Sequence, residues 1–123
     1  MLTNSFQGLE EDISFISSDY DIVYMFGVDK HMTDKKRIQT CAKNNNEKVN
    51  SGFDILYFGE KLRIGEVSYT VSNNPTCYLC NAAYYHMLRK NSNTVFIHIP
   101  SLRGMSIGMM KRLIKIFRNI YFV

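Results

Sequence analysis

Residues 94–100 read Thr-Val-Phe-Ile-His-Ile-Pro, and this stretch decides the fold class of the chain. Apart from one histidine, the residues before the proline are β-branched or aromatic, which predicts a buried strand over Thr94–Ile99 that Pro100 ends. Just upstream, the spacing predicts a helix over Tyr78–Lys90. Strands that alternate with helices are typical of α/β proteins. We therefore predict a mostly parallel, twisted sheet with helices on both faces.

The remaining segments extend this alternation in both directions. Apolar residues recur at helical spacing from Phe6 to Ile16, a short apolar run ends at Gly27, and a β-branched alternation precedes a turn at 72–76. The elements predicted from these patterns are a helix over 6–16, a buried strand over 21–26, a strand over 67–71 and an amphipathic helix over 106–121.

Two segments are less regular. Residues 28–52 are polar, and we expect a surface loop there with one short strand around 37–42. Residues 53–64 mix both periods, so a helix and a strand both remain open. If the segment is a helix, its shared face is expected to hold Phe53, Leu56, Tyr57 and Lys61.

Length and composition bound the class of protein. The chain has 123 residues, of which 46% are hydrophobic, and a net charge of +4. This predicts one domain over 1–123 with a real core. Because there is no long apolar run and no basic region followed by an apolar core, we expect neither a membrane span nor a signal peptide. An odd count of three cysteines fits free thiols in a reducing, cytoplasmic setting.

Two residues carry the candidate chemistry. Cys80 lies at the start of the predicted helix and His98 near the end of the following strand. A helix N-terminus and a nearby imidazole both favour the thiolate form of a cysteine, which is the nucleophilic form. Since sites in such sheets form at the carboxyl ends of strands, we expect both residues at the same edge of the sheet.

The flanks of these residues resemble one family. The blocks are Ser72-Asn73-Asn74-Pro75-Thr76-Cys77-Tyr78-Leu79-Cys80-Asn81, Tyr84-Tyr85 and Phe96-Ile97-His98-Ile99-Pro100. They resemble the nucleophile and histidine segments of pyroglutamyl peptidase I (pyrrolidone-carboxylate peptidase). Gly27 and the segment Arg37–Asn44 look like the family's glycine-containing strand end and its Ile-Glu-x-x-Ala-x-Asn segment. The resemblance runs from about residue 20 to residue 117.

The resemblance implies a phosphorylase/hydrolase-like fold and a cysteine-type exopeptidase. It implies Cys80 as nucleophile, His98 as base and Gln39 as the third catalytic position, acting on a peptide with an N-terminal pyroglutamate and needing no cofactor or metal. Backbone amides near Cys80 are expected to stabilise the oxyanion. The family's arginine for that role follows the strand at Gly27, where the basic candidates are Lys30 and Arg37.

The sequence departs from the family pattern in three ways. Gln39 stands where the family has a glutamate, and Pro75-Thr76 replaces Ala-Gly before the nucleophile. The chain also looks shortened at its N-terminus, without the family's loop that helps to hold the pyroglutamyl ring. A homo-oligomer would be one way to cover the apolar surface that such a shortened sheet exposes.

Three alternatives follow from the same residues. The chain can be a degenerate homologue, either a pseudoenzyme that binds peptide termini or a truncated relic. Cys77-x-x-Cys80 has a zinc or redox spacing, but no second ligand pair accompanies it. A basic face on the last predicted helix would bind nucleic acid or acidic membrane, although no aromatic-interleaved motif supports this, so we expect neither partner. That face consists of Lys111, Arg112, Lys115 and Arg118.

Overall fold

The structure is a computed structural model that describes residues 5–29, 36–75, 78–100, 111 and 120–122. Its elements alternate between helix and strand along most of the chain. In order they are α1 (Phe6–Ser14), β1 (Val23–Val28), β2 (Lys36–Gln39), β3 (Cys41–Asn44), β4 (Glu47–Asn50), α2 (Ile55–Ile64), β5 (Tyr69–Ser72), α3 (Tyr78–Lys90), β6 (Thr94–Ile99) and β7 (Ile120–Phe122).

Five of these strands form one sheet, in the order β5-β2-β6-β1-β7. Three of the four neighbouring pairs are parallel, and only β2 and β6 run antiparallel to each other. The other two strands, β3 and β4, form a separate antiparallel hairpin. The predicted α/β class with a mostly parallel sheet is therefore confirmed.

Helices cover both faces of the sheet and divide the core into two layers. On one face α1 and α3 pack against β1 and β6, around buried side chains that include Ile13, Met25, Tyr84, Met87 and Phe96. On the other face α2 packs against β1, β2 and β6, around Phe26, Ile38, Phe58, Leu62, Val95 and Ile97. Burial of these apolar side chains is the main stabilising term of the fold.

The helices predicted over 6–16 and 78–90 and the strand predicted over 94–99 are confirmed. The helix over Tyr78–Lys90 and the strand over Thr94–Ile99 have the predicted bounds, and α1 begins at Phe6. Side-chain oxygens cap two helix starts: Ser5 Oγ accepts from the Gly8 N–H at 3.2 Å, and Asp54 Oδ1 accepts from the Tyr57 N–H at 3.0 Å. These caps satisfy backbone donors that have no partner within the helix.

The expectation for residues 28–52 is only partly correct: the short strand predicted around 37–42 overlaps β2 and β3, but the loop predicted for the rest is wrong where the structure describes the segment. The described residues of that segment form β2 and the β3–β4 hairpin, and Ile38 and Ala42 are fully buried. The hairpin turns at Asn45, whose φ of 54° lies in the left-handed region that asparagine tolerates better than most residues,. Asn45 and Asn46 thus form the turn between β3 and β4.

The face predicted for the 53–64 segment is not the buried one: Leu56, Tyr57 and Lys61 are exposed, and Phe53 precedes the helix. The segment is helical, but Leu56 is 88% exposed and Tyr57 is 60% exposed. The buried stripe is instead Phe58 with Leu62, which are one helical turn apart,. Two apolar stripes compete along this helix, and the stripe that continues the core of β1 and β6 is the buried one.

The predicted helix over 106–121 lies mostly outside the described residues. Within it, Lys111 is helical and exposed. Its C-terminal bound is wrong, because Ile120 and Tyr121 belong to β7, which pairs with β1 in parallel. β-Branched and aromatic residues at this position extend the sheet rather than the helix.

Candidate functional site

One small cavity collects the three site residues predicted from the sequence. Its lining consists of Gln39, Cys41, Pro75, Cys80, Asn81, Tyr84, Phe96 and His98. The volume open to the centre of a water molecule is about 10 Å³, which is close to the least that holds one water. In this conformation the described walls therefore enclose no space for a group as large as a pyroglutamyl ring.

These residues do not meet in the predicted way. The carboxyl ends of β5 and β6 were expected at one edge of the sheet, but β5 is parallel to β2, and β2 is antiparallel to β6. The two strands therefore run in opposite directions. Cys80 and His98 line the same cavity because the first turn of α3 lies over the face of the sheet, not because two strand ends share an edge.

Gly27 makes room for the sulfur of Cys80. It pairs with His98 in the register between β1 and β6. A Cβ atom built on Gly27 would lie 3.0 Å from Cys80 Sγ and 2.7 Å from Cζ of Phe96. A residue with a side chain at position 27 would collide with both, so the glycine allows the thiol to approach the strand that neighbours His98.

His98 is buried and uncharged at neutral pH. Its exposed fraction is 3%, and Nδ1 has no hydrogen-bond partner among the described residues. Burial, reinforced by the positive charge of Arg37 and opposed by Asp29, lowers the pKa of His98 to about 4,. The imidazole therefore has the neutral form that a proton-accepting base needs, but it is a weak base.

Gln39 bonds to other partners than His98. In the orientation that satisfies its surroundings, the amide Nε2 donates to the carbonyl oxygen of Asn74 at 3.1 Å, and Oε1 accepts from Arg37 Nε at 3.3 Å,. Across the antiparallel β2–β6 pair, Gln39 lies opposite Phe96, whereas the residue opposite His98 is Arg37. The third predicted site residue thus lines the cavity but lies diagonal to the histidine.

Arg37, which lies opposite His98, forms an ion pair with Asp29. Arg37 Nη2 donates to Asp29 Oδ2 at 3.0 Å, and both side chains are 23% exposed. The Asp29 N–H donates to the carbonyl oxygen of Ile99 at 2.9 Å, which fixes Asp29 at the end of β6. The sequence offered Arg37 only as a candidate for the oxyanion and gave no sign of Asp29. Both residues lie near His98 because β2 runs antiparallel and β1 runs parallel to β6, and local sequence patterns do not encode these directions.

Three further side chains fix the walls of the cavity. Cys41 Sγ donates to the carbonyl oxygen of Asn73 at 3.0 Å, and Tyr84 Oη donates to that of Gln39 at 2.7 Å. Asn81 pairs with the backbone of Lys43, accepting from its N–H at 2.8 Å and donating to its carbonyl oxygen at 2.6 Å. The bonds of Tyr84 and Asn81 dock β2 and the hairpin on α3, and the bond of Cys41 ties the hairpin to the segment after β5. From the sequence, Tyr84 is singled out only as part of the Tyr84-Tyr85 block, which gives no sign of this hydroxyl bond.

Several other residues predicted to have a role lie outside the part of the chain that the structure describes. Lys30 and Cys77 lie outside the described residues, as does the basic face of the last predicted helix except for Lys111. Within the described part of the chain, no three histidine, cysteine or acidic side chains are grouped so that they would hold a metal ion. The described helices include none with the length and apolar character that a membrane crossing requires.

Comparison with protein-family models, with curated proteins and with solved structures found no match for this chain.

Proposed function

We propose that this chain is a pyroglutamyl-peptidase-like cysteine peptidase that removes N-terminal pyroglutamate, built on a phosphorylase/hydrolase-like fold. One observation carries the proposal. Cys80, His98 and Gln39 belong to sequence blocks that lie far apart in the chain, and all three line the same cavity. A cysteine and a histidine at one cavity are the two groups that thiol-based acyl transfer needs.

The chemistry uses Cys80 as the nucleophile and His98 as base and acid in turn. His98 accepts the proton of the Cys80 thiol, and the thiolate attacks the carbonyl carbon of the pyroglutamyl residue. The C–N bond breaks, the amine leaves with the proton from His98, and a thioester to Cys80 remains. Water, deprotonated by His98, then hydrolyses the thioester and releases pyroglutamate and the free thiol.

Gln39 supports this chemistry less well than a carboxylate would. Its amide carries no charge to stabilise an imidazolium, and its oxygen already accepts from Arg37. Replacing the third carboxylate of a serine protease by an amide lowers kcat about 10⁴-fold, whereas papain-like proteases use a neutral asparagine. We therefore expect turnover to be slow.

A second candidate function is binding without cleavage, and two observations favour it. A histidine with a pKa of about 4 does not carry, at neutral pH, the positive charge that stabilises a thiolate,. The cavity of about 10 Å³ holds a water molecule rather than an acyl group. A degenerate homologue that binds a peptide terminus near this site, with no cleavage, accounts for both.

Release of a fluorophore from a pyroglutamyl amide separates the two candidates. The variants to compare with the natural chain are Cys80→Ala, His98→Gln and Gln39→Glu. Cys41→Ala is the matched control, because it removes another buried free thiol at the same cavity. Circular dichroism and a thermal melt on each variant establish that it is folded.

Turnover by the natural chain that persists in Cys41→Ala and vanishes in Cys80→Ala and His98→Gln supports the peptidase. Turnover that survives in Cys80→Ala, or silence of every folded variant, sinks it. In the silent case, calorimetric titration with a pyroglutamyl peptide and with the same peptide carrying a free N-terminal glutamine tests the binding function. Equal affinity for the two, or none, argues against that candidate as well.

A further inference from the structure

Arg37, His98 and Gly27 form one row across the middle of the sheet. Arg37 pairs with His98 in the antiparallel register of β2 and β6, and His98 pairs with Gly27 in the parallel register of β6 and β1. Cys80 Sγ lies over Gly27. Because paired residues on neighbouring strands project to the same face, His98 has a guanidinium on one side and the thiol on the other.

Arg37 holds two partners at once with its planar, forked guanidinium. Nη2 donates to Asp29, and Nε donates to the amide oxygen of Gln39. A guanidinium has fixed donor directions, which a lysine ammonium does not reproduce. The Gln39 amide is thereby turned toward Arg37 and Asn74, and Asp29 is held beside the end of β6.

The charges around His98 act in opposite directions. After burial, the charge of Arg37 is the larger influence and disfavours the imidazolium, while the carboxylate of Asp29 is the smaller one and favours it. Among the described residues, the other titratable groups that line the cavity are Cys41, Cys80 and Tyr84. Burial raises the pKa of Tyr84 far above its usual value, so this phenol adds no charge.

We propose that Arg37 is a positioning residue of this site, which binds the Gln39 side chain away from His98 and holds the imidazole in its uncharged form. The carboxylate of Asp29, paired with Arg37, offsets part of the electrostatic effect of Arg37 on the histidine. The consequence for turnover rests on the proposed peptidase function, but the control of His98 does not. Weakening the Arg37 charge would convert His98 into a stronger base.

NMR titration of the His98 ring protons tests this directly, with His98→Gln used to assign the resonance. In Arg37→Gln the Asp29 carboxylate loses its competing partner and faces the histidine, so we expect the pKa of His98 to rise by about 1 unit or more. Arg37→Lys keeps the charge and should leave the pKa near that of the natural chain. Arg63→Gln is the control, since Arg63 is an exposed arginine on α2 paired with Glu60.

A second variant keeps the test decisive if Arg37→Gln does not fold. The double variant Arg37→Gln/Asp29→Asn removes both charges, and because the arginine has the larger effect, its His98 should titrate above the natural chain but below Arg37→Gln. A His98 pKa that stays unchanged in whichever of these variants folds, or that rises equally in Arg63→Gln, overturns the proposal.

The same variants distinguish this proposal from the proposed function. A raised His98 pKa with faster pyroglutamyl-amide turnover in Arg37→Gln supports both. A raised pKa in a protein that turns over no substrate supports the role of Arg37 and counts against the peptidase. If the natural chain turns over substrate but the pKa of His98 is unchanged in Arg37→Gln, the result supports the peptidase and counts against the role of Arg37.

Discussion

The sulfur of Cys80 lies against the backbone of Gly27, so closely that a methyl group on Gly27 would come within 3.0 Å of it. The ring of Phe96 is closer still, at 2.7 Å from the same point. Gly27 neighbours His98 in the sheet register. The placement of the Cys80 sulfur beside the strand that neighbours His98 therefore depends on a position where only a hydrogen fits.

Gly27→Ala is expected to destabilise the chain and disturb the site. Its Cβ must displace the Phe96 ring, Cys80 or both, and such overpacking costs about 1–3 kcal/mol. Urea unfolding measures the loss. The control is Gly52→Ala, whose Cβ would meet its nearest atom, the carbonyl oxygen of Ser92, at 3.3 Å. Equal stability of the Gly27→Ala and natural proteins would show that the packing around Cys80 is loose.

The stability of the chain should fall as the pH is lowered from about 6.5 to about 4. The folded pKa of His98 is about 4, below the ordinary value of 6.5, so in this window the unfolded chain binds a proton that the folded chain does not. Stability from the neutral histidine is complete above pH 6.5 and is lost as the pH falls to 4. The total loss is at most about 3 kcal/mol.

Urea unfolding at several pH values between 4 and 7.5 measures this slope. His98→Gln should remove most of it, because the glutamine does not titrate. His86→Gln is the matched control, since His86 is a partly buried histidine on α3 outside the cavity. A slope in His98→Gln as steep as in the natural chain would assign the acid sensitivity to other groups.

The pairing of Asn81 with Lys43 is expected to hold the β3–β4 hairpin on α3. Asn81→Ala removes two hydrogen bonds to the Lys43 backbone and should cost about 1–2 kcal/mol,. Amide hydrogen exchange in residues 41–50 should speed up more than in β6. Lys48→Ala, at an exposed position of the same hairpin, is the control. Unchanged exchange in Asn81→Ala would mean that the Tyr85–Glu47 hydrogen bond suffices.

Some of the fold could be predicted from the sequence because the signal was local. The helix over 78–90 and the strand over 94–99 each have a sustained pattern that ends at a clear break, and Pro100 marks one such end,. For β2 the sequence indicated only a short strand around 37–42, and its bounds, Lys36–Gln39, could not be found from an apolar pattern. Lys36 and Gln39 are polar yet buried, so the usual apolar alternation is missing from a strand at the centre of the molecule.

In the site, too, the residues with a local sequence pattern could be predicted, and those that depend on the arrangement of distant strands could not. Cys80, His98 and Gln39 could be selected because their flanks resemble one family, and the cavity brings them together. Arg37 and Asp29 could not be assigned to His98, since that requires knowing that β2 runs antiparallel to β6. A local pattern predicts that a strand exists, but the direction of its neighbours depends on the packing of the whole sheet.

Tyr84 and Tyr85 are adjacent on α3 and allow a matched test of how the cavity wall is held. The hydroxyl of Tyr84 donates to the buried carbonyl oxygen of Gln39 at 2.7 Å, whereas that of Tyr85 donates to Glu47 Oε2 at 2.8 Å on a partly exposed surface. Tyr84→Phe leaves a buried acceptor without this donor and should cost about 1–3 kcal/mol.

Tyr85→Phe should cost less than about 1 kcal/mol, because water and Arg89 remain as partners for the glutamate,. Urea unfolding of the two variants at neutral pH measures the difference, and each substitution removes one oxygen atom from the same type of side chain. We also expect Tyr84→Phe, but not Tyr85→Phe, to change the alkylation rate of Cys80, since Tyr84 lines the cavity. Equal costs for the two would mean that the Gln39 carbonyl does not depend on Tyr84.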